Sequence, residues 1–113
     1  AERGEQLDEA QSLIERALKI DPDNGAYLDS MGWVYFKKDQ YQKALDYLYQ
    51  AEEKLTDPVI FEHLGDVYWK MNNQEQAKLY WEKSLELLPG QQKVLDKLQQ
   101  IPGSVVLPES KVK

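Results

Sequence analysis

Cysteine is absent from these 113 residues, so no disulfide staples the fold and no thiol is on hand for redox or nucleophilic chemistry. That absence fits the cytosol and the periplasm alike. Histidine occurs once, at His63. Structural zinc therefore lacks ligands, and a lone imidazole with no evident orienting partner reads as a polar surface residue rather than a catalytic base. No apolar run approaches the roughly 20 residues that span a bilayer. Positive charge is in deficit: 14 Lys and Arg face 20 Asp and Glu, a net charge of −6. A nucleic-acid binder would carry a basic stripe, and none is present. The glycines are scattered, so no phosphate-cradling loop exists. Asp21-Pro22-Asp23-Asn24-Gly25 has oxygen ligands, but they are wrongly spaced for a calcium loop and position twelve is Gly32. The chain reads as a non-enzyme with no cofactor.

What is present is a repeat. Leu28–Thr56 and Phe61–Pro89 align at an offset of 33 residues, pairing Gly32 with Gly65, Tyr35 with Tyr68, Ala44 with Ala77 and Tyr47 with Tyr80. Each copy reads as a helical run, a polar break and a second helical run. A two-helix unit cannot bury its own apolar face and stacks on its neighbour, which predicts a solenoid. Upstream, Ala10, Ile14 and Ala17 lie 34 residues before Ala44, Leu48 and Ala51. Residues 5–20 thus read as the second helix of a repeat. Glycine in mid-helix costs about 0.8–1.0 kcal/mol relative to alanine. Its recurrence one repeat apart predicts close helix approach, with Ala44 and Ala77 opposite the glycines. The alternative is that both glycines are simply tolerated.

Leu28, Met31, Gly32, Tyr35, Ala44, Leu48 and Ala51, with Phe61, Leu64, Gly65, Tyr68, Ala77, Trp81, Ser84 and Pro89, resemble the tetratricopeptide repeat pattern. The departures are Leu28 or Phe61 at the first large position, Ser84 at a small one, and Thr56 where the first copy's proline would stand. The resemblance covers residues 7–101. It implies an all-α fold, a right-handed superhelical solenoid of antiparallel helix pairs with a C-terminal capping helix. The expected units are 1–24, the second helix of a truncated repeat; 25–57 and 58–90, two repeats; 91–101, a capping helix; and 102–113, a flexible tail. Thr56-Asp57-Pro58 marks a helix restart, Asn24 a candidate cap, Asn72-Asn73 a turn and Pro89-Gly90 a stop. Because the pattern is entered halfway through, the chain is expected to be cut from a longer protein. It is similar to the last repeats of long bacterial proteins, some tethered to the outer membrane. That leaves a cytoplasmic or a periplasmic, membrane-associated location open.

The resemblance also implies a function, namely a protein-interaction scaffold that binds an extended peptide or partner protein in a concave groove. The rival reading is a docking or regulatory domain of a larger enzyme complex. Projecting the family's inner-face positions gives Asp29, Trp33 and Phe36 in the first repeat, and Glu62, Asp66 and Trp69 in the second, with His63 nearby. The capping helix adds Lys93, Asp96 and Gln100. Phe36 and Trp69 have a second reading as ordinary packing, whereas a large indole at Trp33 suits recognition. One subfamily grips the carboxylate of chaperone tails through basic residues in this groove. Here those positions are acidic or aromatic, so an apolar or basic segment is the expected partner. Two further expectations concern the ends. Helix 5–20 lacks a partner and either frays or self-associates. The tail is mobile by default, or else docks Val105, Val106 and Leu107 on the aromatics while Lys111 and Lys113 meet the carboxylates.

Overall fold

The structure, a computed structural model, describes residues 2–102. Among them are six helices and no strand: α1 (Glu2–Ile20), α2 (Gly25–Lys37), α3 (Tyr41–Lys54), α4 (Pro58–Lys70), α5 (Gln74–Leu87) and α6 (Gln92–Gln99). None is long and apolar enough to cross a membrane. Val105, Val106, Leu107, Lys111 and Lys113, and with them the tail-docking expectation, lie outside the described residues.

The helix boundaries follow from local chemistry. Tyr27 donates its backbone N–H to the Asn24 side chain (3.0 Å), which satisfies one of the orphan donors at the start of α2. Asp57 accepts from the Val59 N–H at 2.8 Å, and Pro58 occupies the first position of α4, where a missing N–H does no harm. Asn73 accepts from the Gln76 N–H at 3.2 Å to open α5. The turns within the two pairs are copies. Asp39 (φ 64°) and Asn72 (φ 63°) both take the left-handed conformation, which short polar side chains tolerate better than most. The next N–H then closes each turn at 2.9 Å, Gln40 onto the Tyr35 carbonyl and Asn73 onto that of Tyr68.

Packing is neighbour to neighbour. α2 lies along α3 and α4 along α5, while α1 leans on α2, α3 on α4 and α5 on α6. One apolar cluster joins Leu28, Met31, Leu45, Leu48, Ile60, Leu64 and Val67. A second joins Ala77, Trp81, Val94, Leu98 and Ile101, tying α6 to α5. This is an all-α solenoid with α6 at its C-terminal end.

The glycines do permit close approach, but their partners are not the alanines. A Cβ on Gly32 would stand 2.7 Å from Leu48 Cγ, and one on Gly65 would collide with the Trp81 indole at Cδ1 and Nε1. Ala44 contributes its backbone carbonyl at 3.2 Å. The small-against-small expectation is therefore corrected: each glycine is a seat for a large side chain one helical turn beyond the alanine. Ala44 and Ala77 are still fully buried, because no room is left beside those side chains. Ser84, the departure from a small apolar residue, is also explained. Its hydroxyl donates to the Pro58 carbonyl (2.8 Å) and accepts from the Gln91 amide (3.0 Å), linking the start of α4, the end of α5 and the approach to α6.

α1 is the least covered helix. Ala44, Leu48 and Ala51 of α3 are fully buried, whereas none of Ala10, Ile14 and Ala17 is, and Leu13 and Ile20 are 61% and 87% exposed. Polar contacts supplement its packing: Lys38 meets Asp8 and Gln11, each at 2.6 Å.

Two predictions follow from these contacts. Gly65→Ala lowers stability in denaturant melts by about 1–2 kcal/mol, since overpacking against a fully buried indole outweighs the helix-propensity gain. Gly4→Ala, with nothing within 4 Å of the new methyl, is neutral or stabilising by up to about 1 kcal/mol. Equal effects at the two sites would rule out the seat. In native-state hydrogen exchange at low protein concentration, α1 amides exchange before those of α5; equal protection in a monomer would contradict the burial difference.

Candidate binding groove

The A-type helices α2 and α4 meet through their inner faces. The His63 ring stacks on Trp33 with centroids 4.2 Å apart, and Trp33 in turn stacks on Phe36 at 4.8 Å. His63 Nδ1 donates to Asp29 Oδ1 at 2.8 Å, a contact that holds the imidazole flat against the indole. A carboxylate can only accept here, which assigns the proton to Nδ1. Lys37 places its ammonium 5.3 Å from the Trp33 ring centre, a cation–π distance. The result is a three-ring platform, His63–Trp33–Phe36, built across two repeats. Sequence alone left His63 without a partner. The partner is Asp29, 34 residues away on the preceding repeat.

The second group is ionic. Lys97 of α6 reaches Glu62 Oε2 at 2.5 Å and Asp66 Oδ1 at 2.9 Å, and Asp66 also accepts from the Trp81 indole N–H at 3.1 Å. Both carboxylates are largely buried, with side chains 15% and 12% exposed. Burial pushes the Asp66 carboxyl above its ordinary range; the pull of Lys97 opposes this, and the neighbouring Glu62 adds to it. Burial alone would lower the Lys97 ammonium, but its bonds to Glu62 and Asp66 win and hold it above its ordinary value. The two directions agree: one cation is shared by two carboxylates, so the ammonium is gripped while one acid remains hard to ionise.

Of the expected groove residues, Asp29, Trp33, Phe36 and His63 come together as the platform, and Glu62 and Asp66 as the ion cluster. Trp69 tilts against Trp81 at 5.8 Å and borders a recess of about 260 Å³ shared with Phe36, Asp66 and Lys97. Asp96 is not part of either group; it is exposed and accepts from Gln92 within α6 at 2.9 Å. Lys97 was the residue that the sequence missed. Projection from the start of α6 aims Lys93, Asp96 and Gln100 at the groove; Gln100 does line the recess beside Asp66 and Trp69, but the apolar stripe Val94, Leu98 and Ile101 fixes the helix rotation and turns Lys97, not Asp96, toward Glu62. All four expected carboxylates therefore already have partners within the chain, three of them on another helix.

The two aromatics with a second reading also separate. Phe36 packs against the first apolar cluster and Trp69 against the second, whereas Trp33 belongs to neither.

A family model described as tetratricopeptide repeat matches residues 2–24 and 60–90. The TPR repeat-containing protein MJ1428 of Methanocaldococcus jannaschii is 35% identical over 83 residues, covering 74% of this chain and 15% of that protein. The type IV pilus assembly protein PilF of Pseudomonas aeruginosa is 34% identical over 81 residues, covering 69% of this chain and 32% of that protein. The chain thus spans less than a third of the length of either relative. Among solved structures, the thermophilic TPR protein TTC0263 of Thermus thermophilus superposes with a TM-score of 0.81 at 25% identity, covering 89% of this chain and 53% of that one.

The ion cluster gives a pH-dependent prediction. Lys97→Met leaves Glu62 and Asp66 buried without their cation and destabilises the protein by about 2 kcal/mol at neutral pH. Asp66 has a raised folded pKa, so it favours the folded state most below its unfolded value of 3.8, and that contribution is lost as pH rises through the higher folded value. Removing Lys97 raises the folded value further. The deficit of the variant is therefore full at about pH 7 and shrinks toward about pH 4. Chemical denaturation of both proteins across that range checks it; a pH-independent deficit would mean that lost packing, not charge, is responsible.

Proposed function

The chain belongs to the tetratricopeptide repeat family, and from that premise we propose that it is a protein-binding scaffold whose inner face takes an extended segment of a partner protein. Members of the family generally mediate protein–protein interaction. The finer reading rests on Trp33. Its indole is half-buried, flat against His63 and Phe36, and lies outside both apolar clusters. A wide apolar ring already held in one rotamer loses little entropy when a ligand lands on it, and this is how aromatic anchors concentrate binding energy. His63, fixed by Asp29, and Phe36 both stack on the ring and hold it in place.

The in-chain pairing alters the chemistry expected of the ligand. With Lys97 shared by Glu62 and Asp66, and Asp29 hydrogen-bonded to His63, less of the negative charge is available to an incoming segment than four free carboxylates would offer. Apolar contact on the platform then carries the affinity, and a basic flank adds only a rim contribution. The recess between Phe36, Trp69 and Lys97 has room for one apolar side chain beside the platform. PilF is by its name a pilus assembly protein; a place as a docking part within a multiprotein assembly suits the same surface.

Trp33→Ala is the test, compared with the unsubstituted chain. The variant keeps its helical content, because Trp33 is outside the buried clusters, and loses at least about tenfold in affinity for the captured partner, the loss of an anchor worth about 1.4 kcal/mol. Leu79→Ala, an exposed position on α5, leaves affinity unchanged. Unaltered binding by Trp33→Ala would end this reading of the inner face.

A further inference from the structure

The two junctions between successive repeats share a stacked tyrosine pair and differ in what covers it: Phe61 also stacks on Tyr80 at 6.2 Å, where the earlier repeat has Leu28, and Gln11 rather than a tyrosine meets the Tyr35 hydroxyl. At the junction of α3, α4 and α5, Tyr80 stacks on Tyr68 with centroids 5.8 Å apart and planes 5° apart. At the junction of α1, α2 and α3, Tyr47 stacks on Tyr35 at 5.5 Å and 12°. Tyr49 then completes the later junction. Its ring meets Tyr80 edge-on at 6.3 Å and its hydroxyl is hydrogen-bonded to that of Tyr68, and Tyr80 is left only 8% exposed. The offset of 34 residues that matches Ala10 to Ala44 places Glu15 where Tyr49 would stand. Glu15 supplies no ring. Tyr47 accordingly keeps an uncovered edge, and a cleft of about 520 Å³ opens between α1 and α3, with Met31 among its lining residues and Ser12, Glu15, Arg16 and Lys19 beside it.

We propose that this cleft is a second docking site, separate from the inner face, and that it takes a tyrosine side chain from an acidic segment of a partner protein. The later junction supplies the template for the occupant, since the same surroundings one repeat on are filled by a phenol ring set edge-on to the stacked tyrosine pair. Leu18 and Tyr47, both only partly buried, give the cleft its apolar wall. Glu15, which already accepts from the Gln11 amide at 3.0 Å, provides a carboxylate to accept a hydrogen bond from the phenol O–H, favouring tyrosine over phenylalanine. Arg16 and Lys19 are exposed on the same helix, and among the described residues neither is in an ion pair. A chain of net charge −6 here presents a locally basic rim, and carboxylates flanking the tyrosine complement it. The site does not depend on Trp33 or on the platform.

The probe is a blocked pentapeptide with one tyrosine between two pairs of glutamates, titrated into the isotope-labelled chain and followed by amide shifts in NMR. Shifts are expected at Ser12 to Lys19 of α1 and around Tyr47 of α3, and the same peptide with alanine for tyrosine binds at least about tenfold more weakly. Glu15→Tyr fills the cleft from within, raises the melting temperature and weakens the tyrosine peptide by at least about tenfold. Arg16→Glu, at an exposed position that leaves the fold unchanged, weakens it as well. Equal binding of the two peptides, shifts confined to α2 and α4, absence of shifts at millimolar peptide, or undiminished affinity in Glu15→Tyr or Arg16→Glu would each overturn the proposal.

Discussion

The C-terminal half of this solenoid depends on one side chain lying across one glycine. Trp81 is buried on Gly65, where even a methyl group would overlap its ring. That contact sets the separation of α4 and α5. It also aims the indole N–H, which reaches the Glu62 carbonyl at 3.2 Å and the Asp66 carboxylate at 3.1 Å. Asp66, held there, takes hold of Lys97 and with it α6. A steric fit inside one repeat is thus passed, through a hydrogen bond and an ion pair, to the position of the final helix. The buried carboxylates would be costly alone; indole and ammonium together give them the donors that water would otherwise provide.

The first repeat uses the same seat with a smaller occupant. Leu48 lies on Gly32 and has no N–H to offer, so nothing polar radiates from it. The consequences are visible across the inner face. Around α2 the ring system of Trp33, Phe36 and His63 is held by stacking and by the Asp29 bond, while around α4 the face is fixed by charges. One repeat presents a surface for apolar contact and the other a surface that is already satisfied.

How much of this was legible in the sequence differs by the range of the interaction. The helices, their caps at Asn24 and Asp57 and the left-handed turn at Asn72 are local, and propensity and capping rules reach them. The glycine spacing announced close approach, but the identity of the occupant was not legible, because it depends on how far along α3 and α5 the helices cross. That is why Ala44 and Ala77 seemed the natural partners, and Leu48 and Trp81 turned out to be. The groove residues of α2 and α4 were placed by their spacing within well-defined helices. Lys97 was missed because α6 has eight residues, and one residue's error in phase rotates a side chain by about 100°. Its rotation is set by Val94, Leu98 and Ile101 against Trp81, a tertiary fact.

Charge bookkeeping along a sequence treats each carboxylate as available to a partner, and a solenoid defeats that assumption in a systematic way. Residues about one repeat apart come into contact, as Asp29 with His63 and Glu62 with Lys97 do at separations of 34 and 35 residues. Side chains that project onto the same face therefore take up one another's hydrogen-bonding and ion-pairing groups before any ligand arrives. What stays open for binding is whatever the repeat cannot satisfy from its neighbour. On the inner face the proposed case is the part of the Trp33 indole that its stacking partners leave exposed. At the α1–α3 junction it is the edge of Tyr47, left bare by a glutamate in a tyrosine's place. Both follow from the same rule: in a chain of near-copies, the informative positions are those where one copy lacks what the next copy supplies.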